Sequence, residues 1–149
     1  MTAVRSNQRH LDIDHKTHWG RRSRANVIGV HELSIAMSLV DIACEELPRL
    51  GDGARIIALR VRLGPLSGVV KESLLFSFDV AANGSPLEGA RLEVEDVPIT
   101  AYCERCEAVR ELSLTRPSCC PVCDGHVPDI TSGRELQLVA LEVRDAADR

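Results

Sequence analysis

Four cysteines in two close pairs constrain this chain more than any other feature of its sequence. Two residues separate Cys103 from Cys106, two separate Cys120 from Cys123, and thirteen lie between the pairs. Two residues between thiolates let both sulfurs of a tight turn reach one ion, and two such turns supply the four ligands of tetrahedral Zn²⁺. The pattern therefore predicts a structural zinc site, which also stabilises a segment too small to hold itself together.

Two neighbouring residues could alter this ligand set. Cys119 could replace Cys120, but three residues would then separate the ligands, so we assign Cys119 as a non-ligand. His126 lies close enough to act as a substitute ligand, although four thiolates already complete the shell. A redox Cys-x-x-Cys pair is the competing interpretation. It is disfavoured because neither pair opens a helix after a strand, the context that lowers a thiol pKa.

Charge and hydropathy restrict the classes of function. Residues 1–29 carry six Lys/Arg and two Asp, whereas the remaining 120 residues carry 12 basic and 20 acidic side chains. An acidic globular part argues against nucleic acid as a partner, because phosphate binding requires a basic face. No stretch approaches the roughly 20 apolar residues that span a bilayer, and the start of the chain lacks a secretory signal. We therefore expect a cytoplasmic protein with no membrane partner, in which clustered cysteines bind metal.

The spacing of apolar residues predicts an α+β fold. Three-and-four spacing predicts amphipathic helices over 32–50 and roughly 69–82. Alternating apolar residues predict strands; these cover 54–63, about 90–97 and 134–144. In the last strand the apolar phase shifts between Leu138 and Leu141, which indicates a bulge or burial on both faces. The element order predicts a small three-stranded sheet with two helices on one face, plus an inserted zinc-ribbon-like module built on the four cysteines.

These elements divide the chain into three parts. Residues 1–29 are polar and without periodicity, so we expect a disordered extension. Segments 30–100 and 129–149 form the α/β domain, and segment 101–128 forms the zinc-binding domain.

A set of short motifs, in a fixed order, covers nearly all of residues 30–149. The motifs are His31-Glu32-Leu33-Ser34, Val61-Arg62-Leu63-Gly64, Glu72-Ser73-Leu74 with Phe78, the two cysteine pairs, and Ser132-Gly133-Arg134-Glu135-Leu136. This set resembles the HypA/HybF nickel chaperones of hydrogenase maturation. The resemblance implies a non-catalytic metallochaperone with structural zinc at the cysteines and Ni²⁺, the transported cargo, at His31 and Glu32. It also implies a pathway GTPase and the hydrogenase large subunit as partners, with urease as a further recipient. We expect a monomer or a weak homodimer.

The chemistry of His31 is consistent with that role. Imidazole suits Ni²⁺, and the first N–H groups of a helix have no intrahelical partner, so the amides of His31 and Glu32 can be recruited as ligands. The helix dipole places partial positive charge at this end, which weakens cation binding, and Glu32 offsets part of the repulsion. Modest affinity suits a carrier that must release its cargo.

The chain departs from the family pattern at its start. Members of the family open with Met-His-Glu, and the free α-amine helps to bind nickel, whereas here 29 residues precede Val30. Val is also what a GTG start codon encodes when translated internally, so we expect the natural chain to begin at residue 30. With the extension present, His31 lacks the amine, and the nickel site is weaker or recruits His10, His15 or His18.

Two other functions fit parts of the sequence. A zinc-ribbon nucleic-acid-binding or regulatory protein needs basic or aromatic side chains around the cysteine turns. The charges there balance instead: Arg105, Arg110 and Arg116 stand against Glu104, Glu107 and Glu111. A thiol-redox enzyme is the other alternative, and it would leave Cys103 or Cys106 free to react. No Ser/His/Asp set, phosphate loop or paired-carboxylate motif supports a hydrolase or a kinase.

Overall fold

The computed structural model describes residues 8–13 and 30–146, which contain two α-helices and seven strands. The helices are α1 (Val30–Leu50) and α2 (Lys71–Ala82). The strands are β1 (Gln8–Asp12), β2 (Arg55–Leu63), β3 (Arg91–Asp96), β4 (Thr100–Cys103), β5 (Ala108–Glu111), β6 (Ile130–Ser132) and β7 (Leu136–Arg144). Within these residues, neither helix is long and apolar enough to cross a membrane.

The larger sheet has the strand order β1-β7-β2-β3. β2 and β3 run parallel with α2 between them in the chain, while β7 is antiparallel to both β1 and β2. Leu59 of β2 is fully buried in one cluster with Leu39 of α1 and Phe78 of α2. The opposite face carries charged pairs such as Arg60 with Glu93, whose nitrogen and oxygen lie 3.3 Å apart. The predicted arrangement of two helices on one face of the sheet is confirmed.

The apolar phase shift in β7 corresponds to a β-bulge. Arg60 pairs with Ala140 and Val61 pairs with Leu138, so Val139 is the extra residue. Because of this insertion, Leu138 and Leu141 both join the core although three positions separate them. The bulge that the sequence predicts is therefore present.

Strand β1 corrects the prediction of disorder for part of residues 1–29. Residues 8–12 pair with β7, so the larger sheet has four strands rather than the predicted three. Leu11 and Ile13 are half-buried against the core. Two inward apolar residues are too few to show the alternating pattern that predicts a strand. The backbone pairing of β1 also depends on a sheet edge that exists only in the folded protein. The rest of the predicted extension, including His15 and His18, lies outside the described residues.

Arg9 fixes β1 to the end of α1. Its guanidinium donates a hydrogen bond to the carbonyl oxygen of Leu50 at 3.2 Å, and it also pairs with the carboxylate of Asp145. A cation is favoured there, because the last carbonyl groups of a helix carry partial negative charge. The strand is thus held by its side chains as well as by its backbone.

The smaller sheet, β5-β4-β6, belongs to the inserted module. Its core is separate from the main one and contains four aliphatic residues together with two cysteines: Ile99, Ala101, Cys103, Leu112, Cys120 and Val127. Paired strands extend from Thr100 to Ser132, beyond both limits of the predicted 101–128 segment. The extra residues are strand residues without cysteines, so the cysteine spacing could not reveal them.

A close backbone contact joins the two parts of the molecule. The N–H of Leu66 donates to the carbonyl of Gly133 at 2.7 Å, and the Leu66 side chain packs against the module core. A Cβ atom on Gly64 would lie only 2.2 Å from the carbonyl carbon and oxygen of Gly133. Glycine at position 64 is therefore required for the module to sit against the end of β2.

Candidate metal centre

Each cysteine pair lies on a tight turn that ends in a residue of left-handed conformation. Glu107 and Asp124, which directly follow the second cysteine of each pair, have φ angles of 50° and 56°, in the left-handed region. The N–H of Glu107 donates to the carbonyl of Glu104 at 3.3 Å, and the N–H of Asp124 donates to that of Cys120 at 2.9 Å. Both turns therefore reverse the chain, the first, after β4, through a contact over three residues and the second, after the loop that follows β5, through a contact over four.

The four cysteine sulfurs form one compact cluster. All four Sγ atoms lie within 4.8 Å of one another. The Sγ atoms of Cys103 and Cys123 are 3.6 Å apart, and those of Cys106 and Cys120 are 3.8 Å apart. Sulfurs placed about 2.3 Å from a central Zn²⁺ in a tetrahedron stand about 3.8 Å from one another. The cluster thus has the size of a tetrathiolate zinc site.

The arrangement also disfavours a redox pair. The contacts between Cys103 and Cys123 and between Cys106 and Cys120 each join one turn to the other, and both distances exceed the roughly 2.05 Å of a disulfide bond. Cys103 and Cys120 are buried while Cys106 and Cys123 are half-buried, so the four share one enclosed interior. A single ion that binds all four explains this geometry better than thiol–disulfide exchange within either pair.

Neighbouring groups shift the thiol pKa values in opposite directions. A hydrogen bond from the backbone N–H of Cys123, with a second from Val122, lowers the pKa of Cys120 to about 6 against the effect of burial. Hydrogen bonding with Cys123 and burial raise the pKa of Cys106 to about 11, while Arg110 acts in the other direction. Protons shared among these sulfurs are the ones that a divalent cation displaces when it binds thiolates.

Cys119 and His126 remain outside the cluster. Among the described residues, the group of potential metal ligands comprises the four cysteines alone. Cys119 and His126 instead face each other across an isolated β-bridge, and the His126 side chain is exposed. The structure therefore brings Cys120 into the site, as the sequence predicts, and leaves Cys119 beside it.

The predicted nickel residues lie outside the cysteine cluster, in the first turn of α1. The side chain of His31 is exposed, whereas Glu32 is only 5% exposed. Oε1 of Glu32 accepts a hydrogen bond from the backbone N–H of Val70 at 3.2 Å. The structure therefore directs the imidazole toward solvent and the neighbouring carboxylate into the protein.

The burial of Glu32 is the feature that sequence reasoning missed. Val70 is the N-cap residue of α2, and no side chain of its own caps this helix. A carboxylate at a helix N-terminus is stabilised by the helix dipole and by the free N–H groups of the first turn. The signal was available, because Gly68-Val69-Val70 offers no capping side chain directly before a helix. An acceptor had to come from another element.

A comparison with known families adds to this geometry. A family model described as "Hydrogenase/urease nickel incorporation, metallochaperone, hypA" matches residues 30–143. The chain belongs to the HypA family. It is thus a member of a family of nickel metallochaperones and maturation factors rather than of enzymes.

Individual HypA proteins match over most of their length. The hydrogenase maturation factor HypA of Roseiflexus sp. (strain RS-1) is 51% identical over 116 residues, covering 78% of this chain and 94% of the relative. The corresponding factor of Chloroflexus aurantiacus (strain ATCC 29366 / DSM 635 / J-10-fl) is 48% identical over 115 residues, covering 76% and 98%.

A solved structure supports the fold assignment. The protein described as "Solution structure of HypA protein" matches with a TM-score of 0.54 and 27% identity, covering 78% of this chain and 98% of that one. The family resemblance and the α+β fold class that the sequence predicts are confirmed.

Proposed function

We propose that this HypA-family chain binds Ni²⁺ at the front of α1, through His31 and Glu32, and delivers it for maturation of [NiFe]-hydrogenase. The observation that carries the proposal is the exposed imidazole of His31 in the first turn of the helix. A borderline nitrogen donor that reaches solvent can both collect and release Ni²⁺. Modest affinity is expected because the positive end of the helix dipole faces the cation.

The buried carboxylate of Glu32 gives the two residues different tasks. Its side chain holds α1 against the N-terminus of α2, so the side-chain ligand at this site is His31. Glu32 contributes its backbone amide, since the first N–H groups of a helix have no intrahelical acceptor. Anchoring Glu32 also fixes the position of the adjacent His31 backbone, so that the amides and the imidazole are arranged before nickel arrives.

The cysteine cluster holds a structural Zn²⁺ in this proposal. The sulfur separations of 3.6 and 3.8 Å support a tetrahedral ion. Four thiolates leave no open coordination position, which suits a support rather than a transport site. Metal analysis of the purified chain tests this assignment, with one zinc per chain expected and a zinc-free, folded module contradicting it.

A nickel-pathway GTPase and the hydrogenase large subunit are the proposed partners, with urease as a second recipient, and the cytoplasm is the proposed compartment. Four cysteines grouped with the geometry of a metal site, rather than paired as disulfides, are typical of a reducing compartment. Pull-down of the tagged chain from a hydrogenase-producing host tests the partner assignment.

Nickel titration of four proteins tests the metal site. These are the chain 1–149, a version starting at residue 30, that version with His31→Ala, and that version with His126→Ala as the control for loss of an exposed histidine. We expect the tightest binding for the version starting at residue 30 and for its His126→Ala variant, and near-loss for His31→Ala. Equal affinity in all four would exclude His31 as a ligand.

A further inference from the structure

The register of the smaller sheet places Arg110 on the face that carries the metal ligands. In the β4–β5 ladder, Arg110 lies opposite Ala101, and Ala108 lies opposite Cys103. Side chains at directly opposed positions of an antiparallel pair point to the same face, and alternate residues of one strand share a face. Arg110 therefore shares a face with Ala101 and Cys103, both of which are almost completely buried.

The guanidinium of Arg110 lies near the sulfur cluster. It is close enough to Cys106 to favour the thiolate, and it therefore acts to lower the pKa of that thiol. Its Nε atom is buried and has no hydrogen-bond partner within residues 8–13 and 30–146. A charged side chain is held beside a buried site only where something offsets its loss of water, and a negatively charged centre provides that.

The other two arginines of the module lie differently. Arg116 is exposed and pairs with the carboxylate of Asp124 at 3.2 Å. Arg105 passes Gly125 beside Cys123, since a Cβ on Gly125 would lie 3.0 Å from the Cδ of Arg105 and 3.1 Å from the Cys123 sulfur, but its side chain is exposed. Of these three arginines, Arg110 alone is half-buried, and it has no carboxylate partner among the described ion pairs of the module.

The charge of a tetrathiolate site explains this placement. Four thiolates around one Zn²⁺ carry a net charge of about −2, and the cluster is enclosed by protein. Arginine stays protonated under all ordinary conditions, and its planar fork offers several N–H donors. A hydrogen bond to a coordinated sulfur also removes electron density from it, which makes that sulfur less open to protonation and to attack by electrophiles.

We propose that Arg110 is a positioning residue of the metal site, which orients the Cys106 thiolate, compensates the charge of the cluster and slows the loss of its ion. This inference rests on the proposed assignment of zinc to the four cysteines. In a carrier of Ni²⁺, slow release from the cysteine cluster keeps the structural ion from exchanging with the cargo.

Zinc release and thiol alkylation test the proposal on the full chain loaded with zinc. Arg110→Gln removes the positive charge, and Arg110→Lys keeps the charge but removes the planar guanidinium group. Arg60→Gln is the control, because it removes an arginine charge from the larger sheet instead. Release is followed in excess chelator with a zinc-sensitive dye, and alkylation of each cysteine is followed by mass spectrometry. Helical circular dichroism reports whether the α/β domain is intact in each variant.

We expect Arg110→Gln to release zinc about 10- to 100-fold faster than the original chain, the range typical of lost outer-shell partners. The zinc release rate of Arg110→Lys should lie between those of Arg110→Gln and the original chain, and the rate of Arg60→Gln should equal that of the original chain. In Arg110→Gln, Cys106 should be the first of the four ligands to become alkylated. Rescue by lysine and selectivity for Cys106 separate a positioning role from a general loss of packing.

Several results would overturn the inference. Release from Arg110→Gln within twofold of the original chain would do so, as would equal alkylation of all four cysteines. If Arg110→Gln fails to load zinc, the release rate of Arg110→Lys tests the inference instead. Release at the rate of the original chain would then contradict a role for the guanidinium group, and faster release would support it. An original chain that folds with no zinc would instead refute the zinc assignment itself.

Discussion

The carboxylate of Glu32 in the first turn of α1 accepts a hydrogen bond from the backbone N–H of Val70, 3.2 Å away, at the N-terminus of α2. The contact joins the two helices at the end where His31 reaches solvent. It supplies an acceptor to a helix that lacks a capping side chain of its own. The front of the proposed nickel site is therefore built by tertiary contact rather than by the sequence of one helix.

Replacement of Glu32 should reduce stability. Glu32→Ala removes a buried charged acceptor from the N-terminus of α2, and we expect a loss of about 1–3 kcal/mol in the free energy of unfolding. Glu32→Gln keeps an acceptor without the charge and should cost less. Urea unfolding of the zinc-loaded chain measures both. Glu45→Ala, an exposed substitution on the same helix, is the control, and an equal effect of Glu32→Ala and Glu45→Ala would contradict the role of the contact.

Thiol alkylation should divide the six cysteines into two classes. In the zinc-loaded chain we expect Cys119 to react readily and Cys44 slowly, because burial and the nearby Asp41 raise the pKa of the Cys44 thiol and leave less thiolate at about pH 8. The four clustered cysteines should react only after chelation. Mass spectrometry of alkylated peptides checks this, and rapid labelling of Cys103 or Cys106 in zinc-loaded protein would favour the redox alternative.

Removal of zinc should loosen the module while the main domain stays folded. The two cores are separate clusters, and the smaller one includes Cys103 and Cys120 among its buried residues. Hydrogen exchange of the Cys103→Ser/Cys106→Ser variant should show fast exchange in β4 and β5 and continued protection in α1 and β2. Cys119→Ser should retain both the zinc and the protection. If α1 and β2 of the Cys103→Ser/Cys106→Ser variant also lose protection while Cys119→Ser keeps it, the two cores form a single cooperative unit.

Glycine at position 107 should stabilise the first cysteine turn. Glu107 has a φ angle of 50°, a conformation that costs a residue with a side chain about 1–2 kcal/mol. Glu107→Gly should therefore raise the free energy of unfolding by about 0.5–1 kcal/mol, after allowance for the greater backbone entropy of glycine. Glu104→Gly, in the same turn at an ordinary φ, should lower it. Thermal unfolding of the zinc-loaded variants measures both, and the same sign for the two would contradict the explanation.

Removal of the Leu11 side chain should weaken the edge of the larger sheet. Leu11 is half-buried against the core, so Leu11→Ala should cost about 1–2 kcal/mol, less than the ~2–5 kcal/mol of a fully buried leucine. Amide exchange along β7 should also increase. Gln8→Ala, exposed on the same strand, is the control. If both variants behave like the original chain, β1 does not contribute to stability in solution.

The sequence by itself determined the metal-binding module, the two helices and the bulge in β7. These features depend on short-range patterns: the spacing of Cys103, Cys106, Cys120 and Cys123 matches one small ion, and the shift between Leu138 and Leu141 is a change of period within one strand. Apolar periodicity also indicated the inward faces of β2 and α2, which carry Leu59 and Phe78. Local spacing is enough to predict these features, because the residues that form each one lie close together in the chain or repeat with the period of one helix or strand.

Only the tertiary structure decided how distant segments meet. The pairing of β1 with β7 needs a completed sheet edge, and its backbone hydrogen bonds leave no trace in the side chains of residues 8–12. The contact of Glu32 with Val70 spans 38 positions of the chain. The position of Arg110 beside the cluster follows from the β4–β5 register, which sets the face of every side chain and which no motif encodes. Long-range pairing thus gave Glu32 its structural task and placed an arginine at the metal centre.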